Sequence, residues 1–249
     1  MIKRILLVCA LFTPILQANH LTIAVAANVS YAMEDLKKEF LNLYPNNKIR
    51  IIIGGSGKLT AQINNGAPYD IFLSANMKYP KYLYDNNLSV TKPIVYAQGS
   101  LVYFSIKNIN FSKGIKILEN GSINKIAVAN PKTAPYGIAT KEALLNSGIY
   151  DKIKYKFIYG ESISQTVSYS ITATDIGFIA KSALFSPKMS KYKKDINWQE
   201  VDSKLYTPID QGIVILQNGK NKENAKQFYN FIFSQKAKDI FIKFGYIVK

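Results

Sequence analysis

The sequence predicts an α/β protein of two similar lobes, and three observations lead there. Strand-like apolar runs alternate with helix-like ones from residue 21 onward. Turns rich in Gly, Asn and Ser separate them, a strand–turn–helix rhythm that predicts a mostly parallel sheet with helices on both faces. The rhythm recurs in the middle of the chain, so two α/β units fit the 249 residues better than one.

Residues 21–26 form a short β-type run ended by Ala27-Asn28-Val29-Ser30. Ala32, Leu36, Phe40 and Leu43 then share one helical face, and Pro45 stops that helix. Residues 48–53, with Ile49, Ile51, Ile52 and Ile53, predict a strand buried on both faces. Gly54-Gly55-Ser56-Gly57 breaks it; residues 59–65 predict a short helix before Gly66, and residues 69–73 a third strand. In the second unit, residues 126–129 predict a strand, 130–136 a turn with two prolines, and 137–146 a helix closed by Gly148. Residues 155–159 predict a strand, Gly160-Glu161-Ser162 a turn, 163–172 a helix and 175–179 a strand. Residues 211–216 are the last clear strand, and 222–245 hold two amphipathic helical stretches. Crossings near residues 98 and 206 assign 19–97 plus 207–249 to one lobe and 98–206 to the other.

The scarce residues exclude more than the abundant ones. A lone Cys excludes an intramolecular disulfide framework and a CxxC redox or zinc site. With one His, at position 20, neither a Ser-His-Asp triad nor a multi-His metal centre is expected. Lys3 and Arg4, the apolar run at residues 5–16 and Gln17-Ala18-Asn19 have the order of an export signal, so residues 1–18 are expected to be a removed signal peptide. Its removal takes two positive charges from the formal +16, leaving +14. The lysines are spread along the chain, with one dense run at residues 191–194 that reads as a solvated loop. An exported protein with scattered charge is expected to carry a general positive potential and no nucleic acid.

In a doubly wound sheet, ligands bind beyond the carboxyl ends of the strands, at helix N-termini. Four such turns are visible: residues 27–30, 54–57, 135–137 and 160–163. Helix N-termini present unpaired N–H groups and a partial positive charge, which suits a compact anion. The turns supply Asn, Ser, Gly and Tyr, with Glu161 the single acidic residue. Such a set has no base, no nucleophile activator and no metal ligand, so it predicts a binding site without a cofactor. Each turn also has an ordinary reading. Asn28 and Ser30 could cap the following helix. Gly54-Gly55-Ser56-Gly57-Lys58 is not a nucleotide loop, since Ile52 and Leu59 stand where Gly and Ser/Thr are required. Ser56 as a nucleophile would have Lys58 as its nearest candidate base.

These turns resemble the periplasmic molybdate-binding proteins of ABC importers (ModA-type), over about residues 21–249. The resemblance is carried by IAVAANVSYAM at 23–33, GGSGKLTAQI at 54–63, GAPYDIFLSA at 66–75, IAVANPKTAPYGIATKEAL at 126–144 and FGYIVK at 244–249. It implies a type II periplasmic binding fold: two doubly wound α/β lobes, joined by two crossover strands, closing over a tetrahedral dianion in the cleft. By position, Asn28 and Ser56 stand at side-chain donor sites, Tyr136 and Ile163 where the family uses backbone N–H groups, and Ala27 beside them. Many members bring a tyrosine hydroxyl to the anion where this sequence has Ala180, and the Asn28 amide is expected to compensate. The implied function is capture of molybdate, with tungstate, and delivery to a membrane permease by a monomeric receptor. A receptor for another oxyanion such as sulfate or tungstate alone, an exported hydrolase using Ser56, and an adhesive envelope protein are the competing readings.

Overall fold

A computed structural model describes residues 19–248; the segment read as a signal peptide, 1–18, lies outside the described residues. The chain builds two five-stranded sheets. The first holds β1 (Asn19–Ala26), β2 (Asn47–Gly54), β3 (Ile71–Ser74), β4 (Ile94–Gly99) and β10 (Ile209–Ile215), ordered β2-β1-β3-β10-β4. The second holds β5 (Leu101–Phe104), β6 (Ile126–Ala129), β7 (Phe157–Gly160), β8 (Ile176–Ala180) and β9 (Trp198–Glu200), ordered β7-β6-β8-β5-β9. The helices are α1 (Ser30–Leu43), α2 (Ser56–Asn64), α3 (Lys78–Asp85), α4 (Pro135–Asn146), α5 (Tyr150–Ile153), α6 (Ile163–Thr172), α7 (Glu223–Ile232) and α8 (Gln235–Lys243).

The expected mostly parallel sheet is found as two mixed ones. β1 runs parallel to β2 and β3, and β6 parallel to β7 and β8. One strand in each sheet is reversed: β10 pairs antiparallel with β3 and β4, β5 with β8 and β9. Both reversed strands follow a passage from the opposite sheet, so they enter from the cleft side. The chain leaves the first sheet through Ser100 and returns between Glu200 and Ile209. The two passages run side by side: Val201 N–H donates to the Leu101 carbonyl at 3.0 Å and Leu101 N–H to the Tyr206 hydroxyl at 3.2 Å.

Strand alternation places the core on both faces of the first sheet. Leu21, Ile23 and Val25 join the large cluster with Met33, Leu36, Phe40, Phe228 and Phe241, while Ala24 faces Leu59, Ile63, Phe72 and Leu83. Helix α1 buries Ala32, Met33, Leu36 and Phe40 at helical spacing; Leu43, expected on that face, is exposed at the last turn. On the second sheet Val102, Phe104, Val167, Ile179 and Leu184 form a satellite core, and Tyr31 of α1 packs against it from the other lobe.

Candidate functional site

Helices α1, α2, α4 and α6 each start where a strand ends: β1, β2, β6 and β7. In α1, α2 and α6 the strand is followed directly by the turn expected from sequence. Helix α4 begins two residues earlier than expected, with Pro135 as its first residue, where a fixed φ and a missing N–H cost nothing. Gly137 is required there, because a Cβ would run into the Ala129 carbonyl.

The four helix starts converge on one cavity of no more than about 190 Å³, lined by Ala26, Ala27, Asn28, Gly55, Ser56, Ala75, Ala134, Pro135, Tyr136 and Ile163. All five residues singled out in the sequence line it, three from the first sheet's lobe and two from the second's. All five are buried. No charged side chain is among the lining residues.

The donors of this cavity are backbone groups. The N–H groups of Asn28, Ser56, Tyr136 and Ile163 find no acceptor among the described residues: the last three are first-turn amides with no intrahelical partner, and Asn28 lies in the turn just before α1. The Ser56 hydroxyl adds one more: its Oγ accepts the Ala75 N–H at 3.0 Å, which leaves the hydroxyl hydrogen uncommitted. Each helix N-terminus contributes about half a positive charge, so four of them oppose a dianion with about two. An anion stripped of water is stabilised here by fixed dipoles rather than by counter-charges.

The Asn28 side chain does not serve as expected. Its Nδ2 donates to Gln211 Oε1 at 2.8 Å and to the Tyr246 hydroxyl at 2.9 Å, so both amide hydrogens are in use. The orientation is fixed from behind, because Gln211 Nε2 donates to the Ile209 carbonyl at 2.9 Å and must turn its Oε1 toward Asn28. The amide is therefore no substitute for the hydroxyl missing at Ala180; position 28 offers the cavity its backbone N–H. Asn28 Oδ1 and the Tyr136 hydroxyl are buried without a hydrogen-bond partner. Burial, with Tyr246, Tyr206 and Tyr96 nearby, holds the Tyr136 hydroxyl well above its ordinary pKa, while the Asn28 amide pulls the other way. Neither Asn28 nor Ser30 caps α1: the cap position is Val29, and Ser30 Oγ donates to the Ala27 carbonyl at 2.7 Å.

The lobes are closed on each other by direct hydrogen bonds on both sides of the cavity. Gly57 N–H donates to the Thr133 carbonyl at 2.9 Å and the Tyr79 hydroxyl to the Lys132 carbonyl at 3.4 Å. From the second lobe, Ser164 Oγ donates to the Ala27 carbonyl at 3.0 Å and Ser182 Oγ to the Asn28 carbonyl at 2.9 Å. Gln211, Ser164 and Ser182 carry no motif of their own and were not singled out in the sequence; Tyr246 lies in the FGYIVK stretch but was given no role at the site. For a hydrolase the geometry is unfavourable: Ser56 Oγ is paired with a backbone amide rather than a base, and Lys58 is exposed.

The sequence profile of the bacterial extracellular solute-binding proteins matches residues 21–247. The chain is 32% identical to the molybdate-binding protein ModA of Azotobacter vinelandii, over 92% of this chain and 90% of that one. To the ModA protein of Rhodobacter capsulatus it is 30% identical, over 93% and 90% of the two chains. The solved structure of the Azotobacter vinelandii periplasmic molybdate-binding protein superposes with a TM-score of 0.85 at 31% identity, covering 92% of this chain and 99% of that one. With its two α/β lobes and the helix starts between them, the chain belongs to the bacterial extracellular solute-binding protein family, in its ModA group.

Proposed function

We propose that the chain captures molybdate, and tungstate with it, and delivers it to the membrane permease of an ABC importer. The observation that carries this reading is the cavity between the lobes, lined by four unpaired backbone N–H groups and a free hydroxyl hydrogen, with no charged side chain. The names of the relatives at 30–32% identity support the choice of molybdate. The cavity, at no more than about 190 Å³ with the space open to solvent included, admits a compact ion and excludes a peptide. With no carboxylate in the lining to accept a proton, a fully deprotonated oxyanion is favoured over one that keeps its proton. Discrimination against sulfate rests on size, because charge and shape are nearly the same.

The remaining assignments follow from that role. The protein acts as a monomeric receptor, neither enzyme nor nucleic-acid binder, and uses no cofactor. Export through the signal at residues 1–18 places it in the periplasm, where the scattered lysines give a positive potential toward anions. The test is a thermal-unfolding panel of molybdate, tungstate, sulfate, phosphate and vanadate on residues 19–249. Ligand at ~100 times Kd adds about 2.7 kcal/mol of stability, so molybdate and tungstate at micromolar levels are expected to raise Tm clearly. A rise with sulfate alone would replace molybdate in this reading, and no rise with any oxyanion would end it.

A further inference from the structure

The Ala27–Asn28 peptide unit lies at the meeting point of the two lobes. Its carbonyl faces away from the cavity and is held by two hydroxyls: Ser30 Oγ at 2.7 Å from its own lobe and Ser164 Oγ at 3.0 Å from the other. In a planar trans peptide the C=O and the following N–H point in opposite directions. Fixing the Ala27 carbonyl outward therefore turns the Asn28 N–H inward, and that N–H has no acceptor among the described residues. Ser164 does not line the cavity; its hydroxyl, which also bonds the Tyr31 side chain, meets the site at this peptide.

The next peptide provides the contrast. The Asn28 carbonyl also accepts a hydroxyl from the second lobe, Ser182 Oγ at 2.9 Å, together with the Tyr246 hydroxyl at 2.9 Å. The N–H on the far side of that peptide belongs to Val29 and is already committed to the Ala26 carbonyl at 2.9 Å. Ser164 and Ser182 thus make the same kind of bond between lobes, but only one of the two peptides ends in a cavity donor.

We propose that Ser164 is a positioning residue of the oxyanion site: reaching across from the second lobe, it orients the Ala27–Asn28 peptide so that the Asn28 N–H is aimed at the ion when the lobes close. The proposal rests on the oxyanion reading given above. It makes affinity depend on a side chain that does not touch the ion, and it ties one donor of the first lobe to the arrival of the second.

Calorimetric titration with molybdate of the wild type and of S164A, S164T, S182A and S168A tests it. Loss of the Ser164 hydroxyl is expected to weaken binding roughly 3- to 10-fold, the net worth of one hydrogen bond. S164T keeps the hydroxyl and is expected to bind as the wild type does. S182A removes an equal bond between the lobes without freeing a cavity donor, and is expected to weaken binding less than S164A. Ser168, whose exposed hydroxyl bonds back to the Ser164 carbonyl in the same helix, controls for damage to α6. Should S164A fold poorly, S164C, of similar size and with a weak donor, takes its place. The Asn28 amide resonance adds a readout that general stability does not move: molybdate shifts it in the wild type and less in S164A. Equal weakening by S164A and S182A would reduce Ser164 to a closure contact, and unchanged affinity in S164A would remove its role. Failure of the wild type to bind any oxyanion would instead overturn the reading of the site, and this proposal with it.

Discussion

The Ala75 N–H donates to Ser56 Oγ at 3.0 Å, so the Ser56 hydroxyl is anchored by its lone pair and presents its hydrogen to the cavity. Ser56→Ala removes that donor and also strands the Ala75 amide, which is buried. A stranded buried donor costs about 1–3 kcal/mol, and the loss of a hydrogen bond to a charged ligand about 1.5–3 kcal/mol. The variant is expected to bind molybdate roughly 10- to 100-fold more weakly and to unfold at a lower temperature even without ligand. Calorimetry combined with ligand-free thermal unfolding separates the two effects. Unchanged affinity would take Ser56 out of the site.

Gly57 stands where the lobes meet, its N–H donating to the Thr133 carbonyl at 2.9 Å. A Cβ there would lie 2.7 Å from the Tyr79 hydroxyl and 3.0 Å from the Thr133 carbonyl of the other lobe. In the open protein the substitution should be favourable, since Ala is preferred over Gly within a helix by about 1 kcal/mol. Gly57→Ala is thus expected to preserve or raise ligand-free stability while opposing closure and weakening molybdate binding. Small-angle scattering with saturating molybdate should show the variant more extended than the wild type. Full compaction at wild-type affinity would mean that Tyr79 and Thr133 yield to the methyl group.

Gln211 links the Ile209 carbonyl to the Asn28 amide, and its side chain is fully buried. Gln211→Leu leaves both partners unsatisfied, which is expected to cost about 1–3 kcal/mol of stability for each stranded group. Gln211→Glu keeps an acceptor for Asn28 but sets a carboxylate behind the site, facing the Ile209 carbonyl. If it ionises, it repels the bound dianion; if it stays protonated, its pKa rises through burial. Molybdate affinity in Gln211→Glu is therefore expected to fall as pH rises, a dependence that Gln211→Leu lacks. Titrations at several pH values decide it, and parallel pH profiles for the two variants would contradict the argument.

The parts of this protein legible in its sequence are those encoded by neighbouring residues. The apolar runs and the turns at Asn28, Gly55, Tyr136 and Glu161 gave the strand ends and helix starts, because period and turn chemistry are local. Helix α3 was not anticipated: Pro80 reads as a breaker, yet it occupies the first turn, where proline is tolerated. Strands β4 and β5 follow each other with only Ser100 between them; Gln98-Gly99-Ser100 marks the crossing expected near residue 98, but neither strand was singled out, because both belong to one nearly continuous apolar stretch. The Asn28 amide was misassigned for a different reason. Its partners Gln211 and Tyr246 lie 183 and 218 residues away, and spacing along the chain carries no information about such contacts.

Three tyrosines, Tyr96, Tyr136 and Tyr246, are buried near one another, Tyr136 lining the cavity, and burial is the first cause that raises the pKa of each. A raised folded-state pKa means that their stabilising contribution is complete below the unfolded value of about 10. Above it the unfolded chain releases protons that the folded one retains, so stability falls as pH rises, until the folded groups ionise. Each tyrosine contributes a slope of about 1.4 kcal/mol per pH unit, and three of them about 4 kcal/mol per unit. Urea unfolding between pH 8 and 11 is expected to show a plateau followed by this decline. Tyr136→Phe removes one of the three ionisations together with a buried hydroxyl that has no partner. The variant is expected to match or exceed the wild type in stability at pH 8 and to lose stability less steeply in alkali, by about 1.4 kcal/mol per pH unit, with the other tyrosine and lysine ionisations common to both proteins. An identical slope in the two would mean that Tyr136 ionises as readily in the folded protein as in the unfolded chain, which its burial does not permit.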